Sequence, residues 1–284
     1  MSQANQGFSL KRQLVRGKKA AAMTGTIARG MKTLHALGAF KQPPRDILPR
    51  HIQNFCRKMT GAFDVKVVEV EPVPSTHAIW ASNHLSWMDI PVVGSVCPAF
   101  FLSKAEIGDW FIFGKLMKGS GQLLIKRGSG DANAVTAQIT GFLKDGHSIV
   151  IFPEGTTTDG TKIKKVHGKL FQSAIDASVP VQPVVVCYLN EDGSLSKAMP
   201  YHGKMTMKQS MMKVLDANNI TAYVLPLEPI QTDGMTKEQV TATLQQRMED
   251  GLVELHSRVV VTKPTNLTVV ESDKETEKEM RKVA

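Results

Sequence analysis

The stretch SNHLSWMDI, from Ser82 to Ile90, places His84 and Asp89 at the end of an apolar run. An imidazole takes up and releases protons near neutral pH. A carboxylate bonded to one ring nitrogen fixes the tautomer and leaves the other nitrogen free to accept a proton from a hydroxyl. His84 and Asp89 are therefore candidate catalytic residues, a general base and its orienting partner.

A helix must begin between these two residues if their side chains are to meet. Five residues of unbroken helix would turn them about 140° apart around the helix axis. Ser86 is a favoured residue for capping a helix start, and it predicts that Asp89 lies in the first turn and reaches back to the ring. The alternative is that Asp89 only caps the helix and His84 is an ordinary turn residue. The nine residues alone leave both interpretations open.

A second polar cluster lies in the stretch IVIFPEGTTTDG, from Ile149 to Gly160. Glu154 is predicted at the carboxyl end of a strand, and Gly155 lets the backbone approach a ligand closely. Thr156 and the two threonines after it offer hydroxyls and amides. A polar loop explains the same residues, so a binding site does not follow from this stretch alone.

Cations close two further predicted strands. Lys126 and Arg127 follow the run GQLLI, and Lys104 closes AFFLSK. A guanidinium binds phosphate or carboxylate through two hydrogen bonds, so these residues are candidate ligands for an anionic substrate group. Solvated strand ends are the alternative.

Strand and helix patterns alternate along the middle of the chain. They predict an α/β fold with a central mixed, largely parallel sheet flanked by helices. The runs that we interpret as strands are Val65 to Val70, Ala78 to Ser82, Ala99 to Leu102, Gln122 to Ile125, Ser148 to Phe152 and Val181 to Tyr188. The helical patterns are Asp46 to Met59, Trp87 to Val96, Ala105 to Met117, Asp131 to Lys144, Lys169 to Ala177 and Thr236 to His256.

Positive charge is concentrated at the start of the chain. Residues 1–60 contain twelve lysines and arginines and one acid, a balance of +11, whereas the remaining residues balance to −2. From Met23 the apolar residues recur at helical spacing, which predicts a basic amphipathic helical segment suited to an anionic membrane surface. The alternative is a helix that packs on its own domain. Four glycines, from Gly17 to Gly38, disfavour one long helix.

Composition disfavours several classes of protein. The cysteines are far apart, which favours core positions in a reducing compartment over disulfides, and the histidines form no zinc-binding pattern. We expect no metal and no other cofactor. The chain has no apolar run of about 18 residues that would predict a transmembrane helix, and no secretory signal is evident, so we expect a cytoplasmic protein.

Four blocks, taken in order, resemble the glycerolipid acyltransferase family, which includes the PlsC-like 1-acyl-sn-glycerol-3-phosphate acyltransferases. The blocks are NHLSWMD from Asn83, GQLLIKR from Gly121, FPEGT from Phe152 and VPVQPV from Val179. The likeness covers roughly residues 60–232. Four blocks in one order are far more specific than any one of them.

The resemblance implies that His84 deprotonates the hydroxyl of a lysolipid, which then attacks the thioester of acyl-CoA or of acyl carrier protein. Asp89 would orient His84, Glu154 and Gly155 would shape the acceptor pocket, and Arg127 would bind the acceptor's phosphate. The remaining substrate-binding candidates are Thr156, Lys126 and Lys104.

One departure from the family pattern leaves the acceptor open. Family members that acylate lysophosphatidic acid commonly carry arginine after FPEGT, whereas this chain has Thr157. The leading expectation is still the conversion of 1-acyl-sn-glycerol-3-phosphate to phosphatidic acid. The threonine-rich segment also resembles the branch that acylates lyso-ornithine lipid or other lysophospholipids, which is the alternative. Lys162, Lys164 and Lys165 are candidates to supply the missing charge.

These patterns divide the chain into four segments. We expect a membrane-associating segment (1–60), an acyltransferase α/β domain (61–232), a C-terminal helix (233–262) and a polar tail (263–284) of disordered composition. The expected partners are an anionic membrane surface at the cytoplasmic face of the inner membrane, a lysolipid, and acyl-CoA or acyl carrier protein. Nucleic acid is not expected, although the basic segment keeps a nucleic-acid-binding protein as the alternative from another class.

Overall fold

The computed structural model describes residues 2–105, 113–125 and 132–261, and within these ranges seven strands form one sheet. The strands are β1 (Val65–Glu69), β2 (Ile79–Ser82), β3 (Phe100–Lys104), β4 (Leu123–Ile125), β5 (Ile149–Ile151), β6 (Val181–Leu189) and β7 (Ile220–Pro226). Their order is β1-β7-β6-β2-β5-β3-β4, and every neighbouring pair is parallel except β6 and β7. The predicted mixed, largely parallel sheet is confirmed.

The helices of the described residues flank this sheet. They are α1 (Ser2–Ala36), α2 (Leu48–Ala62), α3 (Asp89–Val96), α4 (Phe113–Gly119), α5 (Ala132–Lys144), α6 (Gln172–Asp176), α7 (Met207–Asp216) and α8 (Lys237–Val259). A 3-10 turn (Lys169–Phe171) precedes α6. Helix α8 packs against β6 and β7, α2 against α3 and β1, and α5 against β5.

The central strands are buried along their whole length. All residues of β2, β5 and β6 are buried, as expected for strands that are covered on both faces. The run VQPVVVCYL of β6 is therefore apolar almost throughout instead of alternating. These strands form the part of the sheet from which the candidate site emerges.

Several element boundaries differ from the predictions. Helix α3 begins at Asp89, two residues after the predicted start at Trp87. For the helix predicted from Ala105 to Met117, residues 106–112 lie outside the described ranges, and α4 continues to Gly119. Strand β7 and helix α7 were not predicted at all. The polar tail predicted for residues 263–284 also lies outside the described residues.

Helix α1 is continuous from Ser2 to Ala36, although its glycines disfavour one long helix. Tertiary packing explains its continuity, because Gly30 brings α1 so close to α2 that a Cβ at this position would lie 3.0 Å from Phe55. The apolar stripe faces the protein: Ile27 and Leu34 are buried in the core. The alternative interpretation, a stripe that packs on its own domain, therefore holds from Met23 onward.

Ionic contacts fix the amino-terminal half of α1 to the end of α7. Arg12 and Arg16 both bond the carboxylate of Asp216, with Nη2 of Arg16 at 2.7 Å from Oδ2. The buried Lys19 donates to the carbonyl of Ala217. Three of the positive charges of residues 1–60 thus form contacts with α7 or with the residue that follows it.

The three cysteines, Cys56, Cys97 and Cys187, are free and buried, and burial raises the pKa of the Cys56 thiol to about 12. Within the described ranges, no helix combines the length and the apolar character needed to cross a bilayer.

Candidate active site

His84 and Asp89 meet at the carboxyl end of β2. Nδ1 of His84 lies 2.8 Å from Oδ2 of Asp89, and the same oxygen accepts hydrogen bonds from the backbone N–H groups of Leu85 (2.6 Å) and Ser86 (2.8 Å). The predicted contact between ring and carboxylate is present. Its predicted cause is wrong in part, because the residue that precedes α3 is Met88 and no side chain caps the helix.

A tight turn replaces the predicted cap. The backbone N–H of Asp89 donates to the carbonyl of Ser86 at 3.1 Å, and that of Met88 donates to the Ser86 hydroxyl at 3.3 Å. The chain therefore folds back on itself before α3 begins. This turn brings the side chain of Asp89, the first residue of α3, within hydrogen-bond distance of His84, Leu85 and Ser86.

The ring of His84 is held on one face, and its far nitrogen, Nε2, has no hydrogen bond to any of the described residues. It stacks on Phe152, with ring centroids 4.2 Å apart and 18° between the planes. The His84 side chain is 19% exposed, whereas that of Asp89 is 0% exposed. Because a carboxylate only accepts hydrogen bonds, Nδ1 carries the proton toward Asp89 and Nε2 is left to accept another.

Asn83 anchors the exit of β2 to the neighbouring strand. Its amide nitrogen donates to the carbonyl of Val186 at 3.0 Å, and its oxygen accepts from the N–H of Val186 at 2.8 Å. Both groups satisfy the backbone of β6 beyond its last pairing with β2. Asn83 belongs to the first block but was not among the predicted site residues.

Glu154 lies next to His84 because β2 and β5 are parallel neighbours that end at the same edge of the sheet. Its Oε1 accepts from the backbone N–H of His84 at 2.8 Å, and its Oε2 accepts from that of Lys164 at 2.7 Å. Glu154 is 2% exposed. Burial raises the pKa of its carboxyl, although the two backbone donors oppose this. The carboxylate thus connects the loop after β5 to the backbone of His84 and to that of Lys164, and it does not face solvent.

The threonine segment wraps the backbone of His84 and Leu85. Thr158 donates its N–H to the carbonyl of His84 at 2.8 Å. The hydroxyl of Thr157 donates to the carbonyl of Tyr201, whose own N–H donates to the carbonyl of Leu85 at 2.7 Å. Thr156 is exposed, so of the three hydroxyls it is the one that faces solvent.

Two glycines have conformational reasons for their positions. Gly155 has φ of 66°, the left-handed region that glycine adopts without strain. Gly160 has φ of 83°, and a Cβ there would lie 2.2 Å from Cδ2 of Leu85. The FPEGTTTDG loop can therefore close over the turn after β2 only with glycine at position 160.

The predicted cations are described only in part. Arg127 and Lys126 lie outside the described residues. Lys104 ends β3, and of this residue only the backbone is described. Strands β3 and β4 are parallel to β5 and β3 respectively, so both strands have their carboxyl ends on the side of the sheet where His84 and Glu154 lie.

Besides Asn83, the site contains two residues that were not predicted to belong to it. Tyr188 in β6 donates its hydroxyl to Oδ1 of Asp89 at 2.6 Å. Trp87 donates from Nε1 to the hydroxyl of Ser210 in α7 at 3.1 Å and packs edge-on against Phe63. A tyrosine near the end of a buried, largely apolar strand requires a hydrogen-bond partner, which was the signal available for Tyr188.

No group of three or more His, Cys, Asp or Glu side chains in the described ranges has the arrangement of a metal site. What the site offers is an imidazole with one ring nitrogen bonded to a buried carboxylate and the other without a hydrogen bond to the part of the chain that the structure describes. Such a pair can abstract a proton from a hydroxyl.

Comparisons with known proteins find similarity to acyltransferases. A family model described as "Acyltransferase" matches residues 64–187. The chain is 32% identical over 233 residues to a lyso-ornithine lipid O-acyltransferase of Pseudomonas aeruginosa, covering 80% of this chain and 90% of that protein. It is 29% identical over 171 residues to a 1-acyl-sn-glycerol-3-phosphate acyltransferase of Neisseria meningitidis, covering 59% of this chain and 67% of that protein.

The fold has a counterpart among solved structures. The crystal structure of the 1-acyl-sn-glycerophosphate acyltransferase PlsC from Thermotoga maritima superposes with a TM-score of 0.64, covering 90% of this chain and 99% of that one. At 18% sequence identity, this likeness concerns the fold alone.

Proposed function

The chain belongs to the glycerolipid acyltransferase family, and from this membership we propose that it transfers a fatty acyl group from a thioester donor to the hydroxyl of a lysolipid. His84 is the general base. The observation that carries this proposal is the 2.8 Å contact between Nδ1 of His84 and the buried carboxylate of Asp89, which leaves Nε2 as the ring nitrogen that can accept a proton.

The reaction needs one proton acceptor and no covalent enzyme intermediate. Nε2 of His84 takes the proton of the acceptor hydroxyl as its oxygen attacks the thioester carbonyl carbon. The carbon–sulfur bond then breaks, and the thiolate leaves with the proton that His84 held. Asp89 balances the positive charge on the ring between these two steps. The donor is acyl-CoA or acyl carrier protein.

An apolar cavity supports a lipid as substrate. It has a volume of about 390 Å³ and lies among α1, α2, α3 and α4. Ile90, the residue after Asp89, lines it together with Phe101 and Leu116. A mostly apolar cavity that is lined by the residue next to Asp89 suits a fatty acyl chain better than a polar substrate.

As the acceptor we propose lyso-ornithine lipid first. Thr157 stands where family members that act on lysophosphatidic acid commonly carry arginine, and its hydroxyl is turned toward the carbonyl of Tyr201. This position therefore offers no cation to a phosphate. The Pseudomonas aeruginosa relative, which the chain matches over 90% of its length, also bears the lyso-ornithine name.

The second candidate acceptor is 1-acyl-sn-glycerol-3-phosphate, the leading expectation from the sequence. The Neisseria meningitidis relative bears that name. Lys126 and Arg127 follow a strand that ends at the site's edge of the sheet, where a phosphate would be bound.

The test is thiol release by the purified protein from acyl-CoA and, separately, from acyl carrier protein, with a panel of lysolipids. We expect release only when a lysolipid is present, and the fastest release with lyso-ornithine lipid. His84→Ala should lower the rate by about 10² to 10⁴. His35→Ala, at an exposed histidine of α1, is the matched control and should keep the activity.

Each part of the proposal has its own contrary outcome. Full activity of His84→Ala would remove the general base. A preference for 1-acyl-sn-glycerol-3-phosphate would favour the second acceptor, and no release with any lysolipid would overturn the acceptor class.

A further inference from the structure

Tyr188 contacts the oxygen of the Asp89 carboxylate that is not bonded to His84. The residue lies near the end of β6, is 1% exposed, and donates its hydroxyl to Oδ1 of Asp89 at 2.6 Å. Asp89 itself is 0% exposed. Tyr188 lies outside all four sequence blocks that carry the family resemblance.

The two oxygens of the Asp89 carboxylate have separate partners. Oδ2 accepts from Nδ1 of His84 and from the backbone N–H groups of Leu85 and Ser86. Oδ1 accepts from Tyr188, the one donor to this oxygen among the residues that the structure describes. Three of the four bonds come from the turn that carries Asp89, and the fourth is the tertiary contact to β6.

We propose that Tyr188 is a positioning residue of this site, whose hydroxyl fixes the plane of the Asp89 carboxylate and reduces the negative charge that faces the ring of His84. A hydrogen bond to a charged group in a dry surrounding is strong, and the oxygen left without it would be costly. The phenol keeps its proton for this task, because burial, together with the charge of Asp89, raises the pKa of Tyr188 well above its ordinary value.

The other titratable groups around the pair do not provide this contact. Glu154 faces His84 from the loop after β5, but its two oxygens are bonded to backbone N–H groups. Cys187 adjoins Tyr188 on β6, and burial raises the pKa of its thiol to about 12, so it stays uncharged. The charge that the ring experiences at Nδ1 is therefore that of Asp89, and Tyr188 is the side chain that modifies it.

The decisive variant is Tyr188→Phe, which removes the hydroxyl and keeps the ring. We expect kcat/KM to fall about tenfold, the loss typical of a hydrogen bond to a charged group. The carboxylate with one donor fewer holds the proton on the imidazole more strongly. The acidic limb of the kcat/KM profile should therefore move to higher pH, by roughly half a unit or more.

Tyr223→Phe is the matched control. Tyr223 lies on β7, directly across from Cys187, and it is only half-buried. The same substitution there should leave both kcat/KM and the pH profile unchanged. A Tyr188→Phe variant with lower thermal stability but an unmoved acidic limb would show a structural role only and would overturn the proposal.

This inference rests on the proposed function, since it takes His84 to be the base, and a readout without turnover separates the two. NMR titration of the imidazole nitrogens of His84 should show the same upward movement in Tyr188→Phe. Activity retained by His84→Ala would refute the proposed base, whereas an unchanged titration would refute the role of Tyr188.

A second substitution guards against a variant that fails to fold. A fluorinated tyrosine incorporated at position 188 keeps the hydroxyl and makes it a stronger donor. It should move the acidic limb to lower pH, in the direction opposite to Tyr188→Phe. A profile that does not move with the fluorinated residue would count against the proposal.

Discussion

The proposed chemistry depends on one buried carboxylate whose hydrogen bonds are all made before a substrate arrives. Asp89 accepts bonds from His84, from two backbone N–H groups and from Tyr188. Burial of an ionised group without such partners would cost far more than a protein of this size can spare. The ring therefore has a fixed partner, and Nε2 is the ring nitrogen without a hydrogen bond to any described residue.

Glu154 is the second buried carboxylate at the residue scale, and its role differs from that of Asp89. Both of its oxygens bond backbone N–H groups, one on His84 and one on Lys164. In Glu154→Gln, one backbone N–H would face the amide's own N–H₂ instead of an oxygen. We expect a loss of about 1 to 3 kcal/mol in the free energy of unfolding and a lower kcat/KM. Urea unfolding and thiol release measure the two.

The pH dependence of this loss follows from the pKa of Glu154, which burial raises above its ordinary value of 4.5. A carboxyl with a raised pKa binds its proton more tightly in the folded state, so the wild type loses stability as pH rises through that pKa. The glutamine variant has no such dependence. The difference between the two proteins should therefore narrow from pH 4.5 to pH 7.5. Glu238→Gln, at an exposed position of α8, should change neither quantity.

At the scale of elements, the sequence predicted the parallel strands best. Each of the six predicted runs overlaps a strand. The clearest are β2, β5 and β6, because fully buried strands are apolar along their length and stand out from the helices between them. The meeting of His84 and Glu154 also followed from adjacent parallel strands, once β2 and β5 pair. What the pattern could not give was the strand order, which depends on contacts between distant segments.

Two elements that were not predicted, β7 and α7, nevertheless have recognisable sequence patterns. Strand β7 alternates buried Ile220, Ala222 and Val224 with half-exposed residues, the pattern of a strand covered on one face. Helix α7 follows Thr206, which forms a capping box with Gln209. Neither segment belongs to the four blocks, and the antiparallel pairing of β6 with β7 lay outside the expected βα alternation. The Tyr188 contact was hidden for a related reason, since its partner lies 99 positions away.

Helix α7 links the amino-terminal helix to the candidate site. Its end holds Arg12 and Arg16 at Asp216, and its middle holds Trp87, from the turn before α3, at Ser210. The two arginines hold the pKa of the Asp216 carboxyl well below its usual range, with the bonds from Arg16 making the largest contribution. A lowered pKa means that this contact stabilises the fold at neutral pH and is lost as the pH falls below 3.8.

Asp216→Asn should loosen α1 without unfolding the domain. We expect several-fold faster hydrogen exchange in the amides of residues 10–22 at neutral pH, and a fall of a few degrees at most in the melting temperature, because the arginines are partly exposed. The difference should shrink at high salt. Asp250→Asn, an exposed aspartate of α8 bonded to Gln246, is the control. Equal exchange in both variants would mean that apolar packing alone holds α1.

At the scale of the whole molecule, the basic segment is divided between two tasks. Its apolar stripe from Met23 packs into the core, and three of its cations bond α7 or the residue after it. The earlier part of α1 differs, since Leu10 and Leu14 are 64% and 60% exposed and lie one helical turn apart. The exposed Lys11 and Lys18 lie on the same part of the helix. Association with the cytoplasmic face of the inner membrane remains a prediction, and this part of α1 is where we expect it.

Replacing both exposed leucines with glutamate tests that prediction. Each leucine that enters the headgroup region contributes enough for about a tenfold change in partitioning, and the added charges oppose anionic lipid. In a sedimentation assay, the double variant Leu10→Glu, Leu14→Glu should therefore bind vesicles containing anionic lipid at least tenfold more weakly than the wild type. A variant with one of the two substitutions should bind about tenfold more weakly. Wild-type binding should fall as salt is added.

The control for this experiment is Val253→Glu, which adds a charge at the most exposed apolar residue of α8. It should sediment with vesicles as the wild type does. If the double variant also did so, the exposed end of α1 would not be the membrane contact. Salt-dependent retention on DNA, with no sedimentation of the wild type, would instead favour the nucleic-acid alternative, because the same positive charge would then be serving a polyanion without an apolar interior.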